Sequence, residues 1–179
     1  MIINHIPLLG ITAYSGTGKT TLLKQLIPWL RQRSIRSGLI KHTHHDVDVD
    51  TPRKDSFELR KAGADQTMVA SDSRWALMTE TPQHDPLNLR YLATRFDSDN
   101  LDMILVEGFK HEDIDKIVLH RKGAGKTLEQ FMDIHVVAVA SDCQPEDIPT
   151  TVSLLNINEI EEVGEFIVRW LARQQKQRD

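Results

Sequence analysis

The chain has 179 residues, 40% of them hydrophobic and 27% charged, which suits one buried core in an ordinary soluble domain. Its 22 basic and 26 acidic residues leave a formal net charge of −4, which argues against broad electrostatic attachment to DNA or RNA. The single cysteine, Cys143, excludes an internal disulfide framework and a cysteine-rich zinc site.

No stretch approaches the ~20 apolar residues that span a bilayer. The start, Met1 to Gly10, carries neither a basic leader nor a long apolar run, so a cytoplasmic protein is expected.

In chain order, Leu8 to Ala13 is a short apolar run ending in a turn, and it reads as a buried strand. Thr20 to Arg33 reads as a helix, because Leu22, Leu23, Leu26, Ile27 and Leu30 form one apolar stripe. Ser37 to Lys41 is a second short strand, followed by a polar, histidine-rich stretch to about Lys54. Asp55 to Ala62 is expected to be a short helix capped by Gly63. Gln66 to Ala70 and Trp75 to Thr79 read as two strands joined by a polar turn. Leu87 to Phe96 is expected to be helical. Met103 to Val106, Lys116 to His120 and His135 to Ala140 are further strands, and Leu154-Leu155 marks a short one. From Glu159 a helix presents Ile160, Val163, Ile167, Trp170 and Leu171 on one face.

Apolar strands alternating with amphipathic helices predict an α/β fold, a three-layer arrangement around a mostly parallel sheet. The strand pair between residues 66 and 79 predicts a small antiparallel insertion. One domain spanning residues 1–179 is expected.

The first turn carries chemistry. Ala13-Tyr-Ser-Gly-Thr-Gly18-Lys19-Thr20 matches the phosphate-binding P-loop pattern except at position 13, where glycine is usual. The loop follows an expected buried strand and opens an expected helix, the context this motif requires. Gly16 and Gly18 let backbone amides turn inward. Ser15, Gly16, Thr17, Gly18, Lys19, Thr20 and Thr21 are therefore assigned to the phosphates of a nucleoside triphosphate. Lys19 is assigned to the β- and γ-phosphates, Thr21 to the α-phosphate, and the Thr20 hydroxyl to Mg²⁺.

A second acidic group is required near the metal, at the end of a buried strand. Glu107 follows four apolar residues, precedes Gly108 and fills that role. Asp102, at the start of the same run, belongs at the far end of the sheet and reads as structural. The stretch from His42 to Asp50 admits three readings: a nucleotide-sensing switch with Asp46 or Asp50 near Mg²⁺, a solvated polar loop, or a transition-metal site. The missing cysteines and the lack of helical His-x-x-x-His spacing argue against permanent zinc.

Four segments in this order resemble the MobB family of molybdopterin-guanine dinucleotide biosynthesis proteins. They are Ser15 to Leu23, Gly38 to Asp46, Lys54 to Ala64, and Leu105-Val-Glu-Gly-Phe-Lys110. The resemblance runs over nearly the whole chain. It implies a homodimeric GTP-binding protein with weak GTPase activity at most. It also implies an accessory adaptor beside a MobA-type guanylyltransferase, with molybdopterin as a further partner.

The chain has no Asn-Lys-x-Asp guanine motif. Asp142, after the strand ending at Ala140, is the candidate guanine contact; a structural acid at a strand-end turn is the alternative. A small-molecule kinase using Arg53, Arg60 or Arg121, and a metallochaperone GTPase using the His/Asp stretch, are the competing functions.

Overall fold

Short apolar strands separated by helical segments can pair in parallel only if each helix crosses back over the sheet. A computed structural model describes residues 1–43, 48–81, 86–124 and 127–176 of the chain. In order, the elements are β1 (Ile2–Ile3), β2 (Ile6–Thr12), α1 (Lys19–Gln32), β3 (Ser37–Lys41), α2 (Asp55–Lys61), β4 (Gln66–Ser71), β5 (Arg74–Thr79), α3 (Leu89–Ala93), β6 (Met103–Glu107), β7 (Lys116–His120), β8 (Val136–Ser141), β9 (Ser153–Asn156) and α4 (Ile160–Lys176). They divide into two compact units: Met1–His42 with Asn88–Asp179, and Thr43–Leu87 inserted between those segments.

The first unit is a sheet of strand order β3-β6-β2-β7-β8-β9, parallel throughout. Strand β1, too short to show in the pattern of the sequence, pairs antiparallel with β2. Asn4 and His5 join them at φ of 48° and 68°, the left-handed pair that a two-residue hairpin turn needs.

Alternation along the strands sends side chains to two faces. Leu9, Ile11, Met103, Leu105, Ile117 and Leu119 pack under α1 and α4. Ile6, Leu8, Ile104 and Val106 pack with Leu89 and Ala93 of α3 on the other face. Helices on both sides of the sheet make the expected three layers. The register slips between Lys116 and Ile117, and at this irregularity Val137 and Ala138 both turn to the α1/α4 side.

Helix α3 is shorter than the expected 87–96. The Asn88 side chain accepts the Tyr91 N–H and caps the start. At the other end, the N–H groups of Arg95 and Phe96 donate to Leu92 and Ala93, three residues back, so the chain continues as a tighter turn.

Lys116 is 1% exposed and packs over Gly10, where a Cβ would come within 3.0 Å of the lysine Cβ. Its ammonium donates to the Lys110 carbonyl at 3.0 Å and to Asp133 at 2.8 Å. Burial pushes the Asp133 carboxyl up, but Lys116 and the His135 N–H outweigh it and hold it below its usual range. The pair therefore contributes stability above the ordinary carboxylate pKa, and that contribution is lost as pH falls through the depressed value.

In the second unit, β4 and β5 form a separate two-stranded sheet, registered from Gln66↔Thr79 to Ser71↔Arg74. The Arg60 guanidinium of α2 is buried and donates to Asp48 at 2.6 Å and Glu80 at 3.0 Å. It ties together the segments on either side of the helix and hairpin. Met68, Val69, Trp75 and Leu77 of the hairpin are exposed.

Helices α1 and α4 meet where Gly164 faces the Trp29 ring. A Cβ at Gly164 would sit 2.3 Å from Cζ3 and 2.5 Å from Cε3 of that buried ring. The Arg33 guanidinium lies over the ring at 3.4 Å from its centroid, restricting its escape. Gly164→Ala is therefore expected to lower the unfolding free energy by about 1–3 kcal/mol through overpacking, against a gain in helix propensity of at most about 1 kcal/mol. Urea unfolding of the variant checks this; a stability equal to or above wild type would contradict the close contact.

Candidate functional site

All seven residues of β2 are buried, and the chain leaves the sheet at Ala13. Gly16 and Gly18 then adopt φ of 83° and 98°, the left-handed region that side chains avoid. Gly18 directly precedes α1, whose ladder begins with the Leu22 N–H donating to the Gly18 carbonyl at 2.9 Å. The N–H groups of Lys19, Thr20 and Thr21 thus belong to the first turn, which has no intrahelical acceptors, and they carry the positive end of the helix dipole. Thr17 is 2% exposed and anchors the loop from below, whereas Ser15, Gly16, Thr20 and Thr21 are exposed. An anion can reach the open face.

The Lys19 ammonium folds back across this loop and donates to the carbonyls of Ala13 at 3.0 Å and Tyr14 at 3.3 Å. Burial lowers its pKa, Glu107 opposes that shift and Lys41 adds to it. The charge is therefore poorly solvated and has a carboxylate within electrostatic reach, so an arriving phosphate would stabilise it.

Glu107 ends β6 beside β2, in register with Ile11 on one side and Lys41 on the other. Its side chain is only 12% exposed, and one oxygen lies 3.8 Å from Lys41 Nζ. The His42 N–H donates to the Glu107 carbonyl at 2.8 Å. Gly108 turns away at φ 96°, with room for a Cβ denied by the His42 carbonyl at 2.9 Å. This glycine lets the acidic residue end the strand while the chain departs. Thr20 and Glu107 offer a hydroxyl and a carboxylate, oxygen donors of the kind that suits a hard divalent cation, and both lie at the C-terminal edge of the sheet.

On the other flank, Arg121 follows β7. Its Nε donates to the Thr17 carbonyl at 3.2 Å and its Nη1 to Asp142 at 3.4 Å. The Lys122 N–H donates to the second Asp142 oxygen at 2.9 Å. That amide, with help from Arg121 and against a desolvation penalty, holds the Asp142 carboxyl below the usual carboxylate range. A cavity of about 190 Å³ lies between the first turns of α1 and α4, lined by Gly18, Thr21, Gln25, Arg121 and Asn158 among others.

The structure thus brings Ser15 to Thr21 together with Glu107, and it sets Asp142 at the same sheet edge with two acceptor positions occupied. Asp102 accepts the Arg36 N–H at 2.6 Å at the opposite end of β6, the structural part expected of it. Asp50 lies in the second unit, where it accepts the Thr51 N–H and the Ser56 hydroxyl at the start of α2. Asp46 lies outside the described residues. Arg60 is committed to Asp48 and Glu80. Lys41 and Arg121 were not singled out for the nucleotide site by motif. The signal for both was position, since each ends or follows a parallel strand next to the P-loop strand or its neighbour.

A model of molybdopterin guanine dinucleotide synthesis protein B (MobB) matches residues 8–142. The chain belongs to the MobB family. A molybdopterin-guanine dinucleotide biosynthesis adapter protein of Escherichia coli (strain K12) is 61% identical over 94% of this chain and 95% of the relative. One of Haemophilus influenzae is 52% identical over 94% and 91%. Among solved structures, a molybdopterin-guanine biosynthesis protein B superposes with a TM-score of 0.74 at 28% identity, covering 92% of this chain and 99% of that one. Bacillus subtilis MobB superposes at 0.70 and 18% identity, over 92% and 97%, a likeness of fold.

The two strained glycines separate two costs. Gly16→Ala meets only the left-handed backbone, because nothing lies within 4 Å of its Cβ, whereas Gly108→Ala adds a clash with the His42 backbone. Gly108→Ala is expected to be the more destabilising of the two, each costing on the order of 1–3 kcal/mol. Denaturant melts of both variants decide it, and the reverse order would contradict this local geometry.

Proposed function

We propose that the protein is a GTP-binding adapter in the biosynthesis of molybdopterin guanine dinucleotide, with slow GTP hydrolysis at most. The observation that carries the reading is the meeting of the glycine-shaped loop, the Lys19 ammonium and the Glu107 carboxylate at the ends of neighbouring parallel strands. The adapter role comes from the names of the relatives.

On binding, Lys19 exchanges the Ala13 and Tyr14 carbonyls for β- and γ-phosphate oxygens, and the amides of residues 16 to 21 surround the phosphates. Thr20 and Glu107 would hold Mg²⁺, which would supply positive charge to offset that of the phosphates. Lys41 is exposed and 3.8 Å from Glu107, so opening this pair would leave the carboxylate for that role. The nucleoside would lie on this flank, beside Arg121 and Asp142. Asp142 retains acceptor capacity beyond its two present bonds for the guanine edge.

Slow turnover is part of this reading, and the same geometry supports it. The Arg121 guanidinium is committed to the Thr17 carbonyl and Asp142, so it braces the loop. In this reading Asp46 and Asp50 report nucleotide state from the inserted segment of a single 1–179 nucleotide-binding domain. The protein acts in the cytoplasm as a homodimer, beside a MobA-type guanylyltransferase and molybdopterin. No helix among the described residues is long and apolar enough to cross a membrane. Support for the dimer comes from the hairpin. A two-stranded sheet with Met68, Trp75 and Leu77 exposed is marginal alone, and a second copy would cover it.

Two outcomes test this function. Lys19→Ala should weaken GTP binding more than tenfold, about 1.5–3 kcal/mol for a charge-assisted contact, in a protein that stays folded. Thr20→Ala and Glu107→Gln should lose the Mg²⁺-dependent part of that affinity while binding without Mg²⁺ changes little; isothermal titrations with and without the metal measure both. Unchanged affinity in Lys19→Ala would remove the nucleotide site. Separately, single-turnover hydrolysis by the isolated protein should run below about 10⁻² s⁻¹, the rate of a GTPase that carries its own arginine. Faster turnover would make the protein an enzyme in its own right.

A further inference from the structure

A second cavity, of about 600 Å³, opens at the same edge of the sheet beside β7 and β8. It shares no lining residue with the cavity beside α1, and no residue of the P-loop lines it. Its volume falls within the range of small-molecule sites.

The lining is divided by chemistry. Leu128, Met132 and Ile148 supply apolar surface, and all three pack on the buried cluster of Val118, Phe131, Val136 and Val139. Glu129, Glu146 and Asp147 supply carboxylates, and no lysine or arginine is present among the described lining residues. His120 also lines the cavity. Its Nδ1 pairs with the Ser141 hydroxyl at 3.0 Å, so the other ring nitrogen is the one available to a ligand.

The described lining offers carboxylate acceptors to N–H groups. A flat ring resting on Leu128, Met132 and Ile148 gains apolar and sulfur contacts. A ring that also presents two adjacent N–H donors satisfies a carboxylate in the two-pronged manner of a guanidinium.

We propose that this cavity binds a 2-amino-4-oxo-pyrimidine ring, the edge shared by pterins and guanine, at a site separate from the triphosphate. The choice of this edge over other donor-bearing rings rests on the proposed function. The site is not isolated from the phosphates. Phe131 lies between the lining residues Glu129 and Met132, and its ring meets Tyr14 of the P-loop edge-on at 4.6 Å. Ser141, partner of His120, directly precedes Asp142, which binds Arg121 and hence the loop at Thr17. A ring in the cavity and phosphates on the loop press on opposite ends of these two short contacts.

The test uses the full chain, without nucleotide, and follows the intrinsic fluorescence of pterin on titration. The same samples are titrated with a fluorescent GTP analogue. Saturable pterin binding is expected, unaffected by Lys19→Ala. The double variant Glu129→Gln/Glu146→Gln should weaken it about tenfold or more, the scale of one lost charge-assisted bond. Both glutamates are exposed, so that variant keeps its fold even if the cavity-filling Ile148→Trp does not. A folded Ile148→Trp protein should also lose pterin while keeping GTP. Guanosine should displace pterin at concentrations where adenosine does not.

The proposal is overturned if GTP-competent protein shows no saturable pterin binding. It is equally overturned if neither variant weakens that binding, if Lys19→Ala abolishes it, or if adenosine competes as well as guanosine. Loss of the GTP signal with pterin binding intact would instead count against the nucleotide site and leave this one standing.

Discussion

One charged group in an awkward place organises the site. Lys19 is held where burial penalises its charge and where Lys41 repels it, with Glu107 and two loop carbonyls in compensation. That arrangement needs every other part. The left-handed glycines at 16 and 18 bend the loop so that carbonyls 13 and 14 face the ammonium. The parallel register of β2 with β6 brings Glu107 alongside. Arg121 holds the buried side of the loop through the Thr17 carbonyl. Remove the sheet and the lysine has no reason to be partly dry; remove the lysine and the carbonyls of Ala13 and Tyr14 lose their donor.

The parallel sheet explains why unrelated-looking residues converge. Lys41, Glu107, Arg121 and Asp142 stand at or just after the C-terminal ends of four different strands. Parallel strands deliver all such ends to one edge, where crossover loops leave a crevice. Both cavities lie along that edge. One rigid core therefore fixes the distance between the two cavities.

Much of this was legible from the residues. Helical and strand periods located most elements, since a buried β2 or an amphipathic α4 leaves an unmistakable apolar pattern. The loop from Ser15 to Thr21 was legible because glycine, lysine and threonine at that spacing have few other uses. The position of Glu107 was legible because an acid that closes an apolar run before glycine marks the end of a buried strand. Partnerships across the fold were not. Nothing in the chain around Arg121 says that its guanidinium spans Thr17 and Asp142, since those partners come from two other segments. The two-residue strand β1 carries no period to detect, although Asn4 in its turn is the residue type that tolerates φ above zero. The length of α3 was misjudged because Asn88 and the i to i−3 bonds after Ala93 are decided by local competition, not by apolar spacing.

The contact of Gly164 with Trp29 also constrains the history of the chain. These residues come from the helix that follows the phosphate loop and from the last helix, yet each sets the size allowed to the other. A lineage that enlarges residue 164 must first, or at the same step, shrink residue 29 or move it. The intermediate with both large is the one selection sees as least stable. The two positions should therefore drift as a pair, and the pairing protects the axis of α1, whose first turn carries the open amides of residues 19 to 21.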